Sequence, residues 1–248
     1  MKILVCIPAR YGSTRFPGKV LAKDTGKFLI QHTYERACQA KLADKVIIAA
    51  DDEKVVQAAK SFGADCVLTS TDHQSGTDRI AEVVKDIDAE IIINLQGDEP
   101  EIDPAHIDYL AELLTANPDC PMATLAADFD NIEQLKNPNI VKVILDCRNY
   151  AIYFSRSAIP YDRDAEGAGE TKNHLRHLGI YAYRKDLLLK ITTLPQTPME
   201  KLEKLEQLRV IENGYKILVG KVTHSCDGID TPAQYEDFVK RQKNEKEF

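Results

Sequence analysis

Four cationic side chains crowd one short segment. Pro8-Ala9-Arg10-Tyr11-Gly12-Ser13-Thr14-Arg15-Phe16-Pro17-Gly18-Lys19 is followed by Lys23, and residues 10–23 contain no acidic residue. Guanidinium and ammonium groups make charge-assisted bonds to phosphate oxygens, and Gly12 and Gly18 would let backbone N–H groups approach the same anion. The segment is therefore an anion-site candidate. It is not a Walker A loop, because Ser13 stands where the first glycine belongs and Val20 replaces the metal-binding hydroxyl, and it is not a G-x-G-x-x-G turn. Farther on, Gln96-Gly97-Asp98-Glu99-Pro100 places two adjacent carboxylates after an apolar run, where hard cations such as Mg²⁺ find oxygen ligands. Turn formation alone would also account for Gly, Asp and Pro there. A third acidic element, Asp227-Gly228-Ile229-Asp230-Thr231-Pro232, precedes a helix start, a place that favours Asp through the helix dipole alone. Taken together, a basic loop and two separated carboxylates fit a site for Mg²⁺ and a nucleoside triphosphate.

These groups need elements to hold them. Short β-branched runs, Ile3–Ile7, Val46–Ala50, Cys66–Leu68 and Ile91–Leu95, read as strands covered on both faces. Amphipathic helices are expected between them near 28–41, 53–62 and 76–86. This alternation predicts an α/β fold with a mostly parallel central sheet flanked by helices, with ligands beyond the carboxyl ends of the strands. Asp103-Pro104 opens a helix over 104–116, while Thr197-Pro198-Met199-Glu200 and Thr231-Pro232-Ala233-Gln234 carry capping signatures. Residues 121–183 differ in texture: Met122–Ala127, Val141–Leu145, Ala151–Phe154 and Leu178–Tyr183 read as strands, interrupted by a polar, Gly-bearing loop at 162–174 that reads as mobile. Leu202, Leu205, Leu208 and Ile211 recur every third residue and read as one core-facing helical stripe, with Glu206 and Gln207 off it. No linker or repeat divides the chain, so 1–248 reads as one domain.

Composition narrows the class. Lys plus Arg is 32 and Asp plus Glu is 39, a net charge of −7, which argues against nucleic acid or an anionic membrane as partner. The opening apolar run is too short for a signal-peptide core, and no later run reaches the ~18 residues of a membrane span. Six cysteines without a CxxC pair read mostly as small buried residues. A cytoplasmic protein is the expectation.

Eight blocks carry a more specific resemblance: IPARYGSTRFPGK, TDHQSGTDR, NLQGDEP, NPNIVKVILD, YFSRSAIPYDRD, LRHLGIYAYR, LEQLRV and GIDTP, in this order across nearly the whole chain. In sequence and spacing the chain resembles the CMP-Kdo synthetase family, the 3-deoxy-manno-octulosonate cytidylyltransferases. The resemblance implies a nucleotide-diphospho-sugar-transferase-like (Rossmann-like) fold and a homodimer paired through the β-rich middle. The implied reaction is CTP + Kdo → CMP-Kdo + pyrophosphate, dependent on Mg²⁺ and serving lipopolysaccharide biosynthesis. Two positions depart from the family pattern: Tyr161 stands where Trp is common and Ala182 where Gly is common. His73, Gln74 and Arg176 favour Kdo over its 8-amino analogue, and Tyr11 with the STRFPGK ending disfavours a CMP-sialic acid synthetase.

By the same resemblance Arg10 and Lys19 meet the CTP phosphates, with Ser13 and Arg15 completing the loop. Asp98 and Asp230 look like the metal ligands, one from each side of the cleft. Pro8 and Ala9, with Gln74, Ser75 and Arg79, face the base. Ser75 through Asp78 also reads as a capping box, whereas Arg79 on a first helical turn is a placement that favours function. Gln96, Arg156, Arg163, His177, Tyr181, Glu206 and Gln207 surround the sugar, which carries a carboxylate and several hydroxyls.

Overall fold

The computed structural model describes residues 2–12, 16–224 and 228–244. In chain order the first half runs β1 (Ile3–Ala9), α1 (Leu29–Ala37), β2 (Lys45–Ala50), α2 (Glu53–Ser61), β3 (Cys66–Leu68), α3 (Gly76–Val84), β4 (Ile91–Asn94) and α4 (Pro104–Ala116). The second half runs β5 (Met122–Ala127), α5 (Ile132–Lys136), β6 (Lys142–Leu145), β7 (Ala151–Ser155), β8 (Leu175–Arg184), α6 (Lys185–Ile191), α7 (Pro198–Glu203), α8 (Gln207–Glu212), β9 (Ile217–Val222) and α9 (Pro232–Asn244). The chain divides into two compact units, Met1–Asp108 with Cys226–Phe248, and Tyr109–Ser225.

In the first unit β1 pairs in parallel with β2 and with β4, and β2 with β3. All seven residues of β1 and all four of β4 are buried, as their continuous apolar runs require. The edge strand departs from expectation. Val67 and Leu68 of β3 are exposed, because β3 pairs with β2 alone and so forms the edge of the sheet. Helix starts follow their sequence signals: the Asp52 carboxylate accepts the Lys54 N–H at 2.7 Å, and Ser75 and Asp78 form a reciprocal capping box. α9 buries Tyr235, Phe238 and Val239 against Leu29 of α1 and Ile229, and this cluster anchors the segment that carries Asp230.

The second unit is a mixed sheet: β5 runs antiparallel to β8 and parallel to β9, and the β6–β7 hairpin joins β8 through β6. At its α7–α8 end the expected single helix is broken. Lys204 takes a left-handed backbone, α7 stops at Glu203, and Leu202 is 82% exposed while Leu205 and Leu208 are buried. The every-third-residue pattern therefore runs across the break between two short helices, with Leu205 in the gap, and of its four members only Leu205 and Leu208 are buried. A buried bidentate ion pair fastens the two: Arg209 donates to both Glu200 carboxylate oxygens at 2.9 and 2.6 Å. Loop 162–174 is tied down, with Asp162 and Gly167 exchanging backbone hydrogen bonds and both ring nitrogens of His174 within bonding distance of carbonyls, those of Glu170 and Pro160.

Among the described cysteines only Cys6 and Cys120 are buried, while Cys38 and Cys147 are exposed at helix and turn ends. The expectation that most would be core residues fails there, since apolar neighbours in sequence do not decide which way an element end points. No helix among the described residues is long and apolar enough to cross a membrane.

Gly220 shows how closely the second unit packs. A Cβ there would stand 2.6 Å from Tyr109, 2.7 Å from Leu113 and 2.9 Å from Leu125. Gly220→Ala should therefore cost about 1–3 kcal/mol through overpacking. Urea unfolding measures this, and an unchanged midpoint would show that α4 gives way freely.

Candidate active site

The register of the first unit brings three strand ends level. Ala9 lies opposite Ala50, and Leu95 donates to the Cys6 carbonyl, so Arg10, Asp51 and Gln96–Asp98 leave the sheet at the same carboxyl edge. Here a cleft of about 440 Å³ is lined by Pro8, Arg10, Gly12, Lys19, Gly76, Gln96, Gly97, Asp98 and Asp230. Two glycines make it possible. A Cβ on Gly97 would meet the Pro8 carbonyl oxygen at 3.0 Å and Ile30 at 2.9 Å, and one on Gly76 would press on the Pro8 ring at 3.2 Å.

Lys19 is the focus of the cleft. It opens a 3-10 turn, Lys19–Leu21, immediately after Gly18, whose φ of 68° is a left-handed conformation that suits glycine. Its ammonium donates to Asp98 Oδ2 at 2.5 Å, to the Ile229 carbonyl at 2.8 Å and to Asp230 Oδ1 at 3.2 Å. The two acidic segments are themselves joined, since the Ile229 N–H donates to the Asp98 carbonyl at 2.8 Å. Asp98 and Asp230, from two segments that both line the cleft, thus converge on one point. Two carboxylates directed at one cation are a donor set of the kind hard divalent ions take. Arg10 is exposed at the rim. Ser13 and Arg15, and Asp227 beside the second carboxylate, lie outside the described residues.

The base-facing set divides. Pro8 and Ala9 end β1, Ser75 caps α3, and Gln74 is exposed, its amide donating to the Asp72 carbonyl at 2.9 Å. Arg79 is only 1% exposed. Its guanidinium bonds the Thr69 hydroxyl, donates to the Ser70 carbonyl at 3.2 Å and pairs with Asp51 at 3.5 Å. Its position on a first helical turn therefore has a packing reason, and placement alone does not favour a ligand role. Asp51 also accepts the Tyr11 N–H at 2.8 Å and so ties the start of the basic loop to α3. Sequence reasoning passed over Asp51, yet its place directly after a buried strand is the signal that picked out Asp98.

Gln96 belongs to the first unit, where its amide donates to Asn94 at 3.0 Å. The other sugar candidates lie in the second unit. His177 and Tyr181 are brought together, with ring centroids 5.5 Å apart, and Phe154 stands edge-on to the imidazole at 4.8 Å. On a regular strand residues four apart would be separated by ~13 Å. The register slip opposite Thr124 and Leu125, which leaves Gly179 and Ile180 unpaired in the ladder, draws them in. The Thr124 hydroxyl donates to the Ile180 carbonyl at 2.8 Å, which leaves its oxygen to accept Nε2–H of His177 at 3.0 Å. Arg156 is committed to the backbone, donating to the carbonyls of Glu203 at 2.7 Å and Pro138 at 3.0 Å, while its own carbonyl accepts from buried Lys142. Arg163 is exposed in the 162–167 turn, Glu206 is half-buried before α8, and Gln207 is buried at its start. Thr124 and Glu203, which orient two of these side chains, left no mark in the sequence.

The chain is similar to known proteins over almost its whole length. A family model described as cytidylyltransferase matches residues 4–217. A 3-deoxy-manno-octulosonate cytidylyltransferase of Solibacter usitatus is 51% identical over 235 residues, covering 95% of this chain and 92% of the relative. Its counterpart in Syntrophotalea carbinolica is 46% identical over 245 residues, 97% of each chain. A solved CMP:2-keto-3-deoxy-manno-octonic acid synthetase in complex with CTP aligns with a TM-score of 0.93 at 43% identity, covering 99% of this chain and 100% of that one. The 4-diphosphocytidyl-2C-methyl-D-erythritol synthase of Anaerococcus prevotii shares the fold, with a TM-score of 0.61 at 13% identity over 100% of this chain and 96% of that one.

Burial holds His177 neutral, lowering its pKa from 6.5 to about 3. The unfolded chain therefore takes up this proton first, and the stability that neutral His177 contributes is intact above pH 6.5 and lost as pH falls from 6.5 toward 3. Each unit corresponds to about 1.4 kcal/mol, so the loss between pH 6.5 and 5 should be about 2 kcal/mol. Chemical denaturation at the two pH values checks this against His177→Gln, which should lose about 2 kcal/mol less. An identical pH dependence would show that His177 is protonated in the fold.

Proposed function

Because this chain belongs to the cytidylyltransferase family, and within it stands with the 3-deoxy-manno-octulosonate cytidylyltransferases, we propose that it joins the cytidylyl group of CTP to Kdo and releases pyrophosphate. The observation that carries this reading is the convergence of Lys19, Asp98 and Asp230 on one point of the cleft at the end of β1. The anomeric hydroxyl of Kdo attacks the α-phosphorus of CTP. The new bond joins that oxygen to phosphorus as the hydroxyl gives its proton to water, the bond from phosphorus to the oxygen bridging the α- and β-phosphates breaks, and pyrophosphate leaves with the electron pair. Negative charge shifts toward the leaving group, so fixed cations supply most of the acceleration. Arg10 and Lys19 are the cations assigned to it, and the rim position of Arg10 suits a triphosphate that enters from solvent.

The base fits where Pro8 and Gly97 narrow the cleft, with Asp51 holding Tyr11 and Arg79 in place behind it. Asp98 and Asp230 would hold Mg²⁺, for which two converging carboxylates are suitable donors. When bound, Mg²⁺ neutralises phosphate charge and lowers the pKa of the attacking hydroxyl. For the sugar, Gln96, Arg163, His177, Tyr181, Glu206 and Gln207 are assigned, with His177 as a neutral hydrogen-bonding and packing group. In the same reading the enzyme works in the cytoplasm toward lipopolysaccharide. It does so as a homodimer through its middle strands, where Ile152 of β7 is 53% exposed.

Pyrophosphate release from CTP with Mg²⁺ tests the reading, with Kdo, 8-amino-Kdo and sialic acid offered in parallel. Release should depend on Kdo, and no release with any of the three would sink the assignment. Asp98→Asn should lower kcat by about a hundredfold, the scale of losing one preorganised electrostatic group. Full turnover in that variant would remove Asp98 from the metal site.

A further inference from the structure

All three N–H donors of the Lys19 ammonium are engaged. One goes to Asp98 at 2.5 Å, one to the Ile229 carbonyl at 2.8 Å and one to Asp230 at 3.2 Å. A divalent ion on these carboxylates would sit ~2.0–2.6 Å from their oxygens, depending on the ion, which is the space the ammonium takes. An ammonium and a divalent cation a few ångströms apart repel strongly in a partly enclosed site. The two occupants are therefore alternatives.

We propose that Lys19 is the resident cation of the Asp98–Asp230 pair before nucleotide binds, and that the nucleotide's phosphates admit the metal by drawing this ammonium away. The proposal rests on the reading of the cleft as a site for CTP and a divalent metal, and it adds an order of events to it.

Three further features support the exchange. The Lys19 backbone is pinned, its N–H donating to the Phe16 carbonyl at 3.2 Å and its own carbonyl accepting from Ala22 at 3.0 Å, so only the side chain has to move. The side chain lines the same cleft as Arg10 and Gly12, within which a phosphate would lie. Charge stays matched on both sides of the exchange: the carboxylates pass from an ammonium to a divalent ion, and the ammonium passes from carboxylates to phosphate. Metal binding and nucleotide binding are then coupled through one lysine, and each strengthens the other. With nucleotide gone, the ammonium returns and expels the metal.

Titration of the nucleotide-free protein with Mn²⁺, followed by calorimetry or by the Mn²⁺ electron-spin resonance signal, tests the exchange without any turnover. Lys19→Met should bind Mn²⁺ at least tenfold more tightly than the wild type. Lys19→Arg, which keeps the cation, should bind as weakly as the wild type. Adding Asp98→Asn to Lys19→Met should abolish the gain. In EDTA, Lys19→Met should melt below the wild type, because two carboxylates then lack their cation, and Mn²⁺ should restore it by a larger shift than it gives the wild type. If Lys19→Met does not fold, Lys19→Gln carries the same comparison. Equal Mn²⁺ affinity in the wild type and the neutral variants would overturn the proposal, as would a gain that survives Asp98→Asn. Neither outcome depends on which sugar is activated, so failure of pyrophosphate release would count against the proposed function alone.

Discussion

The candidate nucleotide site depends on the register of β1 with its two parallel neighbours. Backbone hydrogen bonding fixes Ala9 opposite Ala50 and brings Leu95 onto the Cys6 carbonyl. Because both neighbours run parallel to β1, their carboxyl ends emerge together, and Arg10, Asp51 and Asp98 become neighbours without being close in sequence. A slip of one residue would turn the side chains of a strand to its other face and separate these groups. Because β1 and β4 are buried along their whole length, what opposes such a slip is the polar residue at each strand end, Arg10 or Gln96, which it would draw into the buried stretch.

Within that frame the cationic groups are restrained by anions or carbonyls. Asp98 and Asp230 hold Lys19, Asp51 and two oxygens hold Arg79, and the carbonyls of Glu203 and Pro138 hold Arg156. Such restraint fixes where each of these cations sits and keeps buried charge paired. It also shows how a chain of net charge −7 can hold a cluster of cations in one cleft. Part of the acidic surplus, Asp98, Asp230 and Asp51, orients cations in and behind the cleft, and the net value describes the molecule's exterior more than its cleft.

Much of this was legible in the sequence because it depends on local rules. Continuous β-branched runs marked the parallel strands, Ser75 with Asp78 marked the start of α3, and Gly-Asp after β4 marked a carboxylate at a strand end. What the sequence did not disclose is set by tertiary context. That β3 lies at an edge follows from which strands pair with it, so its apolar Val67 and Leu68 looked like core. The break at Lys204 arises where a left-handed residue separates two helices fastened by the Glu200–Arg209 pair, while the leucine spacing continued across it. Arg79 looked like a ligand because its partners Asp51, Thr69 and Ser70 come from segments that only the β2–β3 pairing brings beside α3.

The pairing of Asp98 with Asp230 joins the legible and the illegible parts. Each acid was visible alone, each had a bland explanation as a turn or helix-start residue, and no spacing rule connects positions so distant in the chain. Their association depends on two things that sequence periodicity does not encode. One is the Ile229 N–H donating to the Asp98 carbonyl, and the other is the apolar cluster of Leu29, Ile229, Tyr235 and Phe238 that seats α9. Ile229 serves in both, its side chain in the core and its backbone at the site. Its carbonyl is also the third acceptor of the Lys19 ammonium. The apolar packing of one residue thus sets the distance between two carboxylates and the cation they share, and so links the stability of the first unit directly to the electrostatics of its cleft.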